Sequence, residues 1–294
     1  MMEITGHTRF GGLLGSPVSH SISPMMHNLS FQTLGIDAVY LCFETRPEKL
    51  KETLEVFRNL DTFGFNLTMP LKETVVPLCD SLSEGAAMMG AVNTLVNENG
   101  RLTGHNTDGY GFLEALREKG VEIRGKELTI LGAGGAGGAI AVEAFLEGAG
   151  RIHLANRRGR SWARACRLVD LISAKSPFGA DLTDLEDIRE LSDRIRQSDV
   201  LINASSVGMG DAGRDLSPLS SAEILKPPLF VADVIYNPRK TKLLRDAEKQ
   251  GCRTSNGLTM LLHQGAAAFA LWTKKKMPLD LVRSRYFQEN PDED

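Results

Sequence analysis

The feature that most restricts the fold of this chain is a glycine-rich segment, residues 132–137, between an apolar run and an alanine-rich run. The apolar residues 128–131 predict a buried strand, and the residues after Gly137 predict a helix. A strand that turns through glycines into a helix brings free backbone N–H groups and the positive end of the helix dipole to one point. The segment therefore predicts a site for the pyrophosphate of a dinucleotide, with a ligand-free tight turn as the alternative.

Each position of this segment has a role in the predicted cofactor site. Gly132 permits the tight turn, Gly134 lets the backbone approach the pyrophosphate, and Gly137 lets the helix pack close to the strand. Gly135 and Ala136 complete the predicted phosphate-binding set.

The end of the next predicted strand indicates which dinucleotide binds. That strand closes at Ala155 and is followed by Asn156, Arg157 and Arg158. NAD enzymes place an acid near this position for the ribose 2′-hydroxyl, and this chain has none there. Arginine suits a 2′-phosphate, and one charge-assisted hydrogen bond of about 1.5–3 kcal/mol favours NADP over NAD roughly ten- to a hundredfold. Arg157 is the first choice as phosphate ligand, with Arg158 pointing away; a solvated basic turn is the alternative.

The composition indicates a globular protein of about two domains. The chain has 294 residues, of which 42% are hydrophobic and 24% charged, and its formal net charge of −3 offers no basic field for nucleic acid. It begins without an apolar signal core and has no long uncharged apolar run, so we expect a cytoplasmic protein without a membrane partner. The four cysteines are scattered, which predicts reduced thiols and no metal site.

Short apolar runs alternate with helical patterns along the chain. This alternation predicts an α/β fold with a largely parallel sheet covered on both faces. Residues 38–43 predict a strongly buried strand, and Ser23 is the predicted N-cap of a helix over residues 24–34.

Local turn signals predict further elements. The pair Asn99 and Gly100 predicts a hairpin that joins residues 91–97 to residues 101–105. Residues 173–196 are polar and leave their structure open, and residues 213–228 predict a surface loop with a short helix.

Polar side chains collect at the predicted strand ends in the first half of the chain. Ligands of open α/β sheets bind at the carboxyl edge of the strands, so this set predicts a site for a small hydroxylated anion. A lysine and an aspartate there are suited to proton transfer. The simpler alternatives are a solvated Lys72 and an Asp108 or a Ser23 that only caps a helix. The set comprises Ser21, Ser23, Asn66, Thr68, Lys72, Asn93, Asn106 and Asp108.

In the order of its motifs the chain resembles the shikimate dehydrogenase family. The matches span nearly the whole sequence, which makes their combination far more specific than any one motif. They are SHSISP at 19–24 with His27 and Asn28, NLTMPLK at 66–72, GAVNT at 90–94, NTDG at 106–109, GAGGAG at 132–137, NR at 156–157, NASSVGM at 203–209, DVIYNP at 233–238 and NGLTMLLHQG at 256–265.

The resemblance implies an oxidoreductase that reduces 3-dehydroshikimate to shikimate with NADPH, in chorismate and aromatic amino-acid biosynthesis. Lys72 and Asp108 are the implied catalytic pair, with Thr68 beside them. The other implied substrate-binding residues are Ser21 and Ser23 for the carboxylate, Asn93, Asn106 and Gln264 for ring hydroxyls, and Tyr236 from the cofactor domain. The implied cofactor-binding residues outside the glycine segment are Asn156, Arg157, Arg158, Ser205, Val234, Gly257 and Met260.

The resemblance also implies the domain organisation. An N-terminal α/β substrate-binding domain is expected at residues 1–108, completed by C-terminal helices that return to it over 257–294. A Rossmann-type NADP-binding domain is expected at residues 109–256. The expected partners are the small-molecule substrate and NADP(H), bound by a monomer or a homodimer.

The chain departs from the family pattern in ways that leave two alternatives open. The family often has threonine at Ser206, a mild change, and often has threonine where this chain has Arg158. A sister group, quinate/shikimate dehydrogenase, carries two arginines there and accepts NAD, although an acid usually follows where this chain has Gly159. NAD(H) and quinate therefore remain alternative ligands. A non-catalytic NADP-binding sensor is the alternative of another class, and the presence of both Lys72 and Asp108 argues against it.

Overall fold

The structure is a computed structural model that describes residues 4–159, 161–176 and 179–287. It divides into two compact units, of which the first holds the described residues up to Thr107 and again from Gln264 onward, and the second holds Asp108–His263. The C-terminal segment therefore joins the first unit, as the fold prediction requires. The predicted domain limits of residues 108 and 257 stay a prediction.

Strands and helices alternate along both units, which confirms the predicted α/β class. The strands are β1 (Arg9–Gly15), β2 (Ala38–Glu44), β3 (Thr62–Leu67), β4 (Ser81–Leu82), β5 (Thr94–Glu98), β6 (Arg101–His105), β7 (Glu127–Leu131), β8 (Arg151–Asn156), β9 (Ala180–Asp184), β10 (Val200–Asn203), β11 (Phe230–Asp233) and β12 (Arg253–Ser255). The helices are α1 (Ser23–Thr33), α2 (Pro47–Arg58), α3 (Leu71–Thr74), α4 (Glu84–Met89), α5 (Asp108–Glu118), α6 (Gly135–Leu146), α7 (Trp162–Lys175), α8 (Ile188–Gln197), α9 (Gly210–Gly213), α10 (Lys242–Lys249), α11 (Leu258–Thr273) and α12 (Leu279–Tyr286), with a 3-10 turn at Val76–Leu78.

The sheet of the first unit has the strand order β2-β1-β3-β5-β6-β4 and is mixed in direction. β1 runs parallel to β2 and β3, whereas β5 runs antiparallel to β3 and β6. The hairpin between β5 and β6 turns through Asn99 and Gly100, both with positive φ (53° and 83°), as their sequence predicts. A tight hairpin joins only antiparallel strands, so this sheet is less parallel than the alternation of elements suggests.

A bulge in β3 lets both faces of this sheet receive large aromatic side chains. The pairing of β1 with β3 shifts by one residue after Phe10, and Gly64 has a φ of 145°. The extra residue resets the strand's alternation, so Phe63 packs against Phe31 of α1 while Phe65 stacks on Phe57 of α2. Helices thus cover both faces of the sheet.

The sheet of the second unit is entirely parallel, with the order β12-β11-β10-β7-β8-β9. The chain moves outward from β7 to β8 and β9, and then returns to the other side of β7 to form β10. The order therefore reverses between β7 and β10, and such switch points open a crevice at the carboxyl ends of the strands. α5 packs closely on α6, because a Cβ at Gly109 would overlap the carbonyl group of Ala139.

The structure corrects three local expectations and shows the elements of one segment that the sequence left open. α1 begins at Ser23 and its N-cap position is Ile22, so Ser23 is not the N-cap. β2 lies at the sheet edge and leaves Leu41 45% exposed, so residues 38–43 are not strongly buried. The described residues of the open segment 173–196 include the end of α7, all of β9 and most of α8. Residues 213–228 follow a short helix but place Leu219 and Leu225 in the core, so they are not only a surface loop.

No helix in the described part of the chain has the length and apolar character needed to cross a membrane.

Candidate active site

One edge of the first unit's sheet collects the predicted substrate-side residues. β1 and β3 end there, and the residues that follow them include Ser21, Ser23, Thr68 and Lys72. β5 runs the other way and therefore starts at this edge, directly after Asn93, with Thr94 paired to Asn66 of β3. β6 ends at the same edge, just before Asn106, because His105 pairs with Thr94.

Asn66 and Asn93 form the buried centre of this edge, at 6% and 2% exposure. The Nδ2 group of Asn66 donates to the Asn93 carbonyl at 3.1 Å and to Thr94 Oγ1 at 3.0 Å. The Asn93 Oδ1 atom accepts from the Thr107 N–H at 2.9 Å and from Thr94 Oγ1 at 2.9 Å. These bonds fix β3, β5 and the residue before Asp108 to one another.

Thr68 and Lys72 lie on the turn between β3 and α3. The Thr68 N–H donates to the Leu14 carbonyl at 2.9 Å, and the Lys72 carbonyl accepts from the Val92 N–H at 2.8 Å. The backbone under the Lys72 side chain is thereby tied to the segment that leads into β5. Lys72 is half-buried.

The remaining substrate-side predictions of the first unit lie on loops and on α11. The Ser21 Oγ atom accepts from the Ser23 N–H at 3.2 Å, which orders the loop before α1. The Asn106 Nδ2 group donates to the Ala91 carbonyl at 3.1 Å, which ties Asn106 to the segment before β5. Gln264 is the first α11 residue assigned to this unit and is half-buried.

Asp108 is the first residue of the second unit and the first residue of α5, and it is 8% exposed. Within that unit the close packing of α5 on α6 fixes the start of α5 relative to the helix that follows the glycine segment.

The glycine segment has the shape that a pyrophosphate needs. Gly132 has a φ of 98°, and a Cβ at Gly137 would overlap the Gly132 carbonyl oxygen. A Cβ at Gly134 or Gly135 would meet no described atom within 4 Å, so the backbone there faces open space. α6 begins at Gly135, and its first N–H groups point into that space.

Asn156 supports this loop through its side-chain amide. Its Oδ1 atom accepts from the Ala133 N–H at 3.1 Å, and its Nδ2 group donates to the Arg157 carbonyl and to Ser161 Oγ. The side chain is 6% exposed. The structure therefore shows how Asn156 ties the end of β8 to the glycine segment.

The two arginines after β8 differ in their surroundings. The Nε atom of Arg158 lies 2.8 Å from the Asp184 carboxylate, and its guanidinium lies 4.7 Å from the centre of the Trp162 ring. Arg157 is exposed to solvent on the same turn. Asp184 already balances Arg158, so Arg157 is the better placed of the two for an added phosphate.

The other predicted cofactor residues surround the ends of β10 and β11. A Cβ at Gly132 would come within 3.0 Å of the Ser205 nitrogen, so Ser205 adjoins the glycine segment. A Cβ at Gly257 would overlap the Val234 carbonyl, and the Gly257 N–H donates to the Ile235 carbonyl at 3.0 Å. Val234 and Gly257 are thus brought together. Met260 follows in the first turn of α11, and Tyr236 lies 47% exposed two residues beyond Val234.

The buried carboxylate of Asp233, which was not among the predicted site residues, connects the loops that follow β10 and β11. Asp233 is fully buried and accepts from Asn203 Nδ2, from the Ile235 N–H at 2.9 Å and from Thr241 Oγ1 at 2.8 Å. Burial raises the pKa of Asp233 to about 6, and its hydrogen bonds oppose that rise. Asn203 in turn accepts from the Ser205 hydroxyl at 2.7 Å. The signal available in the sequence was a polar residue that closes each of two apolar strands.

Within the described residues, no group of three or more His, Cys, Asp or Glu side chains is arranged to hold a metal ion.

Two family models match the chain. One, described as "Shikimate dehydrogenase substrate binding domain", matches residues 13–95, and one described as "Shikimate 5'-dehydrogenase C-terminal domain" matches residues 257–285. A curated protein of Listeria monocytogenes serotype 4b named "Shikimate dehydrogenase (NADP(+))" is 47% identical over 97% of this chain and 98% of its own.

Solved structures agree with these matches. The crystal structure of shikimate 5-dehydrogenase from Listeria monocytogenes in complex with shikimate and NAD has a TM-score of 0.93 and 46% identity, over 97% of this chain and 98% of that one. Quinate dehydrogenase from Corynebacterium glutamicum in complex with NAD has a TM-score of 0.84 and 31% identity, over 95% of this chain and 99% of that one.

Proposed function

The chain belongs to the shikimate dehydrogenase family, and we propose that it catalyses the reversible, NADP-dependent reduction of 3-dehydroshikimate to shikimate. It is accordingly an oxidoreductase that acts on a CH–OH group, in chorismate and aromatic amino-acid biosynthesis. The observation that carries the proposal is the edge of the first sheet, where an antiparallel strand brings Asn93 beside the ends of β3 and β6.

That edge supports recognition of a small hydroxylated carboxylic acid. Hydroxyl groups at Ser21 and Ser23 suit the carboxylate, and amide groups at Asn93, Asn106 and Gln264 suit ring hydroxyls, because amides both donate and accept. Tyr236, half-exposed in the second unit, is proposed as a further substrate ligand. These roles follow the family motifs residue by residue.

The second unit fits NADP(H). The open backbone at Gly134 and Gly135 and the N-terminus of α6 suit a pyrophosphate, since both place N–H donors towards an anion. When bound, NADPH supplies the hydride that reduces the C3 carbonyl. Ser205, Val234, Gly257 and Met260 are proposed to contact the rest of the cofactor, and Asn156 to act through the loop that it holds.

Lys72 and Asp108 are proposed as the catalytic pair. As the substrate carbonyl is reduced, its oxygen gains negative charge, and the Lys72 ammonium stabilises that charge and gives up a proton from Nζ. General acid catalysis of this kind contributes typically about 10²–10⁴-fold. In the reverse direction the neutral Lys72 amine accepts the proton of the C3 hydroxyl. Asp108 balances the charge of Lys72 in this proposal, and Thr68 orders the turn on which Lys72 lies.

The preference for NADP is proposed to depend on Arg157. Arg158 already pairs with Asp184, so the exposed Arg157 is proposed as the ligand of the 2′-phosphate. A single such contact favours NADP by roughly ten- to a hundredfold, which leaves slow turnover with NAD.

Oxidation of shikimate and of quinate, each measured with NADP and with NAD, tests the proposed function. We expect the highest kcat/KM for shikimate with NADP and roughly ten- to a hundredfold less with NAD. A similar kcat/KM for quinate would favour the quinate/shikimate alternative, to which the likeness to a quinate dehydrogenase structure points. Cofactor binding without oxidation of either substrate would identify a sensor and reject the enzyme.

We also propose a cytoplasmic protein, which the four free cysteines at positions 42, 79, 166 and 252 support, since disulfides are rare there. The chain is proposed to act as a monomer or a homodimer, because one copy carries both the substrate-side and the cofactor-side residues. The substrate-binding domain is proposed at residues 1–108 with 257–294, and the cofactor domain at 109–256.

A further inference from the structure

Tyr40 is held in one position although it lies on the edge strand of the first sheet. The Asn28 side chain of α1 bonds to both backbone groups of Tyr40: Nδ2 donates to its carbonyl at 2.9 Å, and Oδ1 accepts from its N–H at 2.8 Å. Asn28 thereby takes the place that a neighbouring strand would have at this point of the edge. The backbone of Tyr40 is fixed from outside the sheet.

The ring of Tyr40 is fixed by aromatic neighbours. His27 stacks on it with ring centres 4.5 Å apart, and Trp272 of α11 lies 5.9 Å away. Tyr40 and His27 are fully buried, and burial lowers the pKa of His27 to about 3, so the imidazole packs as a neutral ring. The pair His27 and Asn28, conspicuous in the sequence but without a role in the proposed reaction, therefore serves to hold Tyr40.

The hydroxyl of Tyr40 reaches the centre of the proposed substrate site. It donates to Asn66 Oδ1 at 2.8 Å. Burial raises the pKa of Tyr40 well above its usual value, with a smaller rise from Cys42 and an opposing hydrogen bond from Ser23, so the phenol stays a donor at working pH. With its oxygen occupied, the Asn66 amide must direct its Nδ2 group to the Asn93 carbonyl and to Thr94 Oγ1.

We propose that Tyr40 is a positioning residue for the substrate, which sets the orientation of the Asn66 amide and through it the place of Asn93. Thr94 extends the effect, since it accepts from Asn66 and donates to the Asn93 Oδ1 atom at 2.9 Å. The inference rests on the proposed function, in which Asn93 binds a ring hydroxyl. Tyr40 itself does not need to touch the substrate.

Tyr40→Phe tests this role, because it removes the hydroxyl and keeps the ring that stacks on His27. We expect the KM for shikimate to rise about tenfold, a loss of about 1.4 kcal/mol, while the KM for NADP changes less than about twofold. An unchanged KM for shikimate with a lowered Tm would overturn the proposal, since it would leave Tyr40 a purely structural residue. Wild-type protein that does not oxidise shikimate would instead reject the proposed function itself.

Thr62→Val is the matched control. Thr62 lies in β3, like Asn66, but at the opposite end of the strand, and its buried hydroxyl accepts from Asn97 Nδ2 at 2.8 Å. This variant should lower the Tm without changing either KM. A rise in the KM for shikimate equal to that of Tyr40→Phe would show a general loss of packing and would contradict the positioning role.

Asn66→Ala separates a direct effect of Tyr40 from one that passes through Asn66. In the Asn66→Ala background, Tyr40→Phe should add less than about a twofold further change in the KM for shikimate. If Tyr40→Phe raises the KM for shikimate by the same factor with and without Asn66, its effect does not pass through Asn66 and the proposal is overturned. If Tyr40→Phe yields no folded protein, Asn66→Ala must by itself raise the KM for shikimate, and an unchanged value there would reject the proposal.

Discussion

Asp233→Asn should change how the stability of the second unit depends on pH. Burial raises the pKa of Asp233 from 3.8 to about 6 in the folded protein, against the lowering by its hydrogen bonds to Ile235, Asn203 and Thr241. At roughly 1.4 kcal/mol per pKa unit, ionising this carboxyl costs the folded state about 3 kcal/mol relative to the unfolded chain. Asparagine has a similar shape and cannot ionise.

The sign follows from which state binds the proton more tightly. Below about pH 4 the carboxyl is protonated in both states, so its contribution to stability is fully present there. Between about pH 4 and 6 the folded state keeps its proton while the unfolded state loses it, so stability falls as the pH rises. Above the folded pKa the loss is complete. The unfolding free energy of Asp233→Asn minus that of wild type should therefore increase by about 3 kcal/mol as the pH rises from 4 to 7.

The assay is urea unfolding at several pH values, followed by the fluorescence of Trp162 in a Trp272→Phe background, because Trp162 lies in the second unit. Any constant cost of the substitution, such as a rearranged bond to Thr241, cancels when the two proteins are compared across pH. Asp170→Asn, on the exposed surface of α7, is the control for an aspartate without such burial. If the difference in unfolding free energy between Asp233→Asn and wild type is the same at pH 4.5 and at about pH 7.5, the reasoning is refuted.

Three further substitutions test the proposed site. Lys72→Ala should lower kcat about 10²–10⁴-fold while the Kd for shikimate changes little, and a near-normal kcat in steady-state assays would reject its role as proton donor. Arg157→Ala should raise the KM for NADP at least about tenfold and leave that for NAD nearly unchanged, whereas Arg158→Ala, already balanced by Asp184, should affect both less; equal effects of Arg157→Ala on the two cofactors contradict the assignment. Ser23→Ala should raise the KM for shikimate, because the substitution removes the hydroxyl proposed to bind the carboxylate, and a lower Tm with unchanged affinity would count against that role.

Local signals in the sequence were sufficient for much of the fold. Asn99 and Gly100 predict their hairpin because both residue types tolerate positive φ, which depends on the residues themselves and not on distant contacts. The glycine segment predicts its turn because the backbone at Gly132 and Gly137 approaches too closely for a Cβ, and this close approach is local to the segment. Such features need no knowledge of distant contacts.

Features that depend on residues distant in the sequence could not be predicted from local patterns. The exposure of β2 follows from its place at the sheet edge, which no residue within 38–43 encodes. The short β12 depends on the strand beside it, since Arg253–Ser255 pairs with β11 over only three residues. Asp233 escaped notice as a site residue because its three donors come from separate segments.

Three asparagines lie at the last or next-to-last position of a strand, and their side chains stabilise the loops that surround the site. Asn66, Asn156 and Asn203 each accept hydrogen bonds through Oδ1 and donate others through Nδ2. Aspartate at any of these positions would lose the donor, and leucine would lose both, so only an amide satisfies the surroundings. A buried partner left without its bond costs about 1–3 kcal/mol, enough to shift the loop that it holds. The loops that face the ligands are therefore ordered before any ligand arrives, which reduces the entropy that binding must overcome.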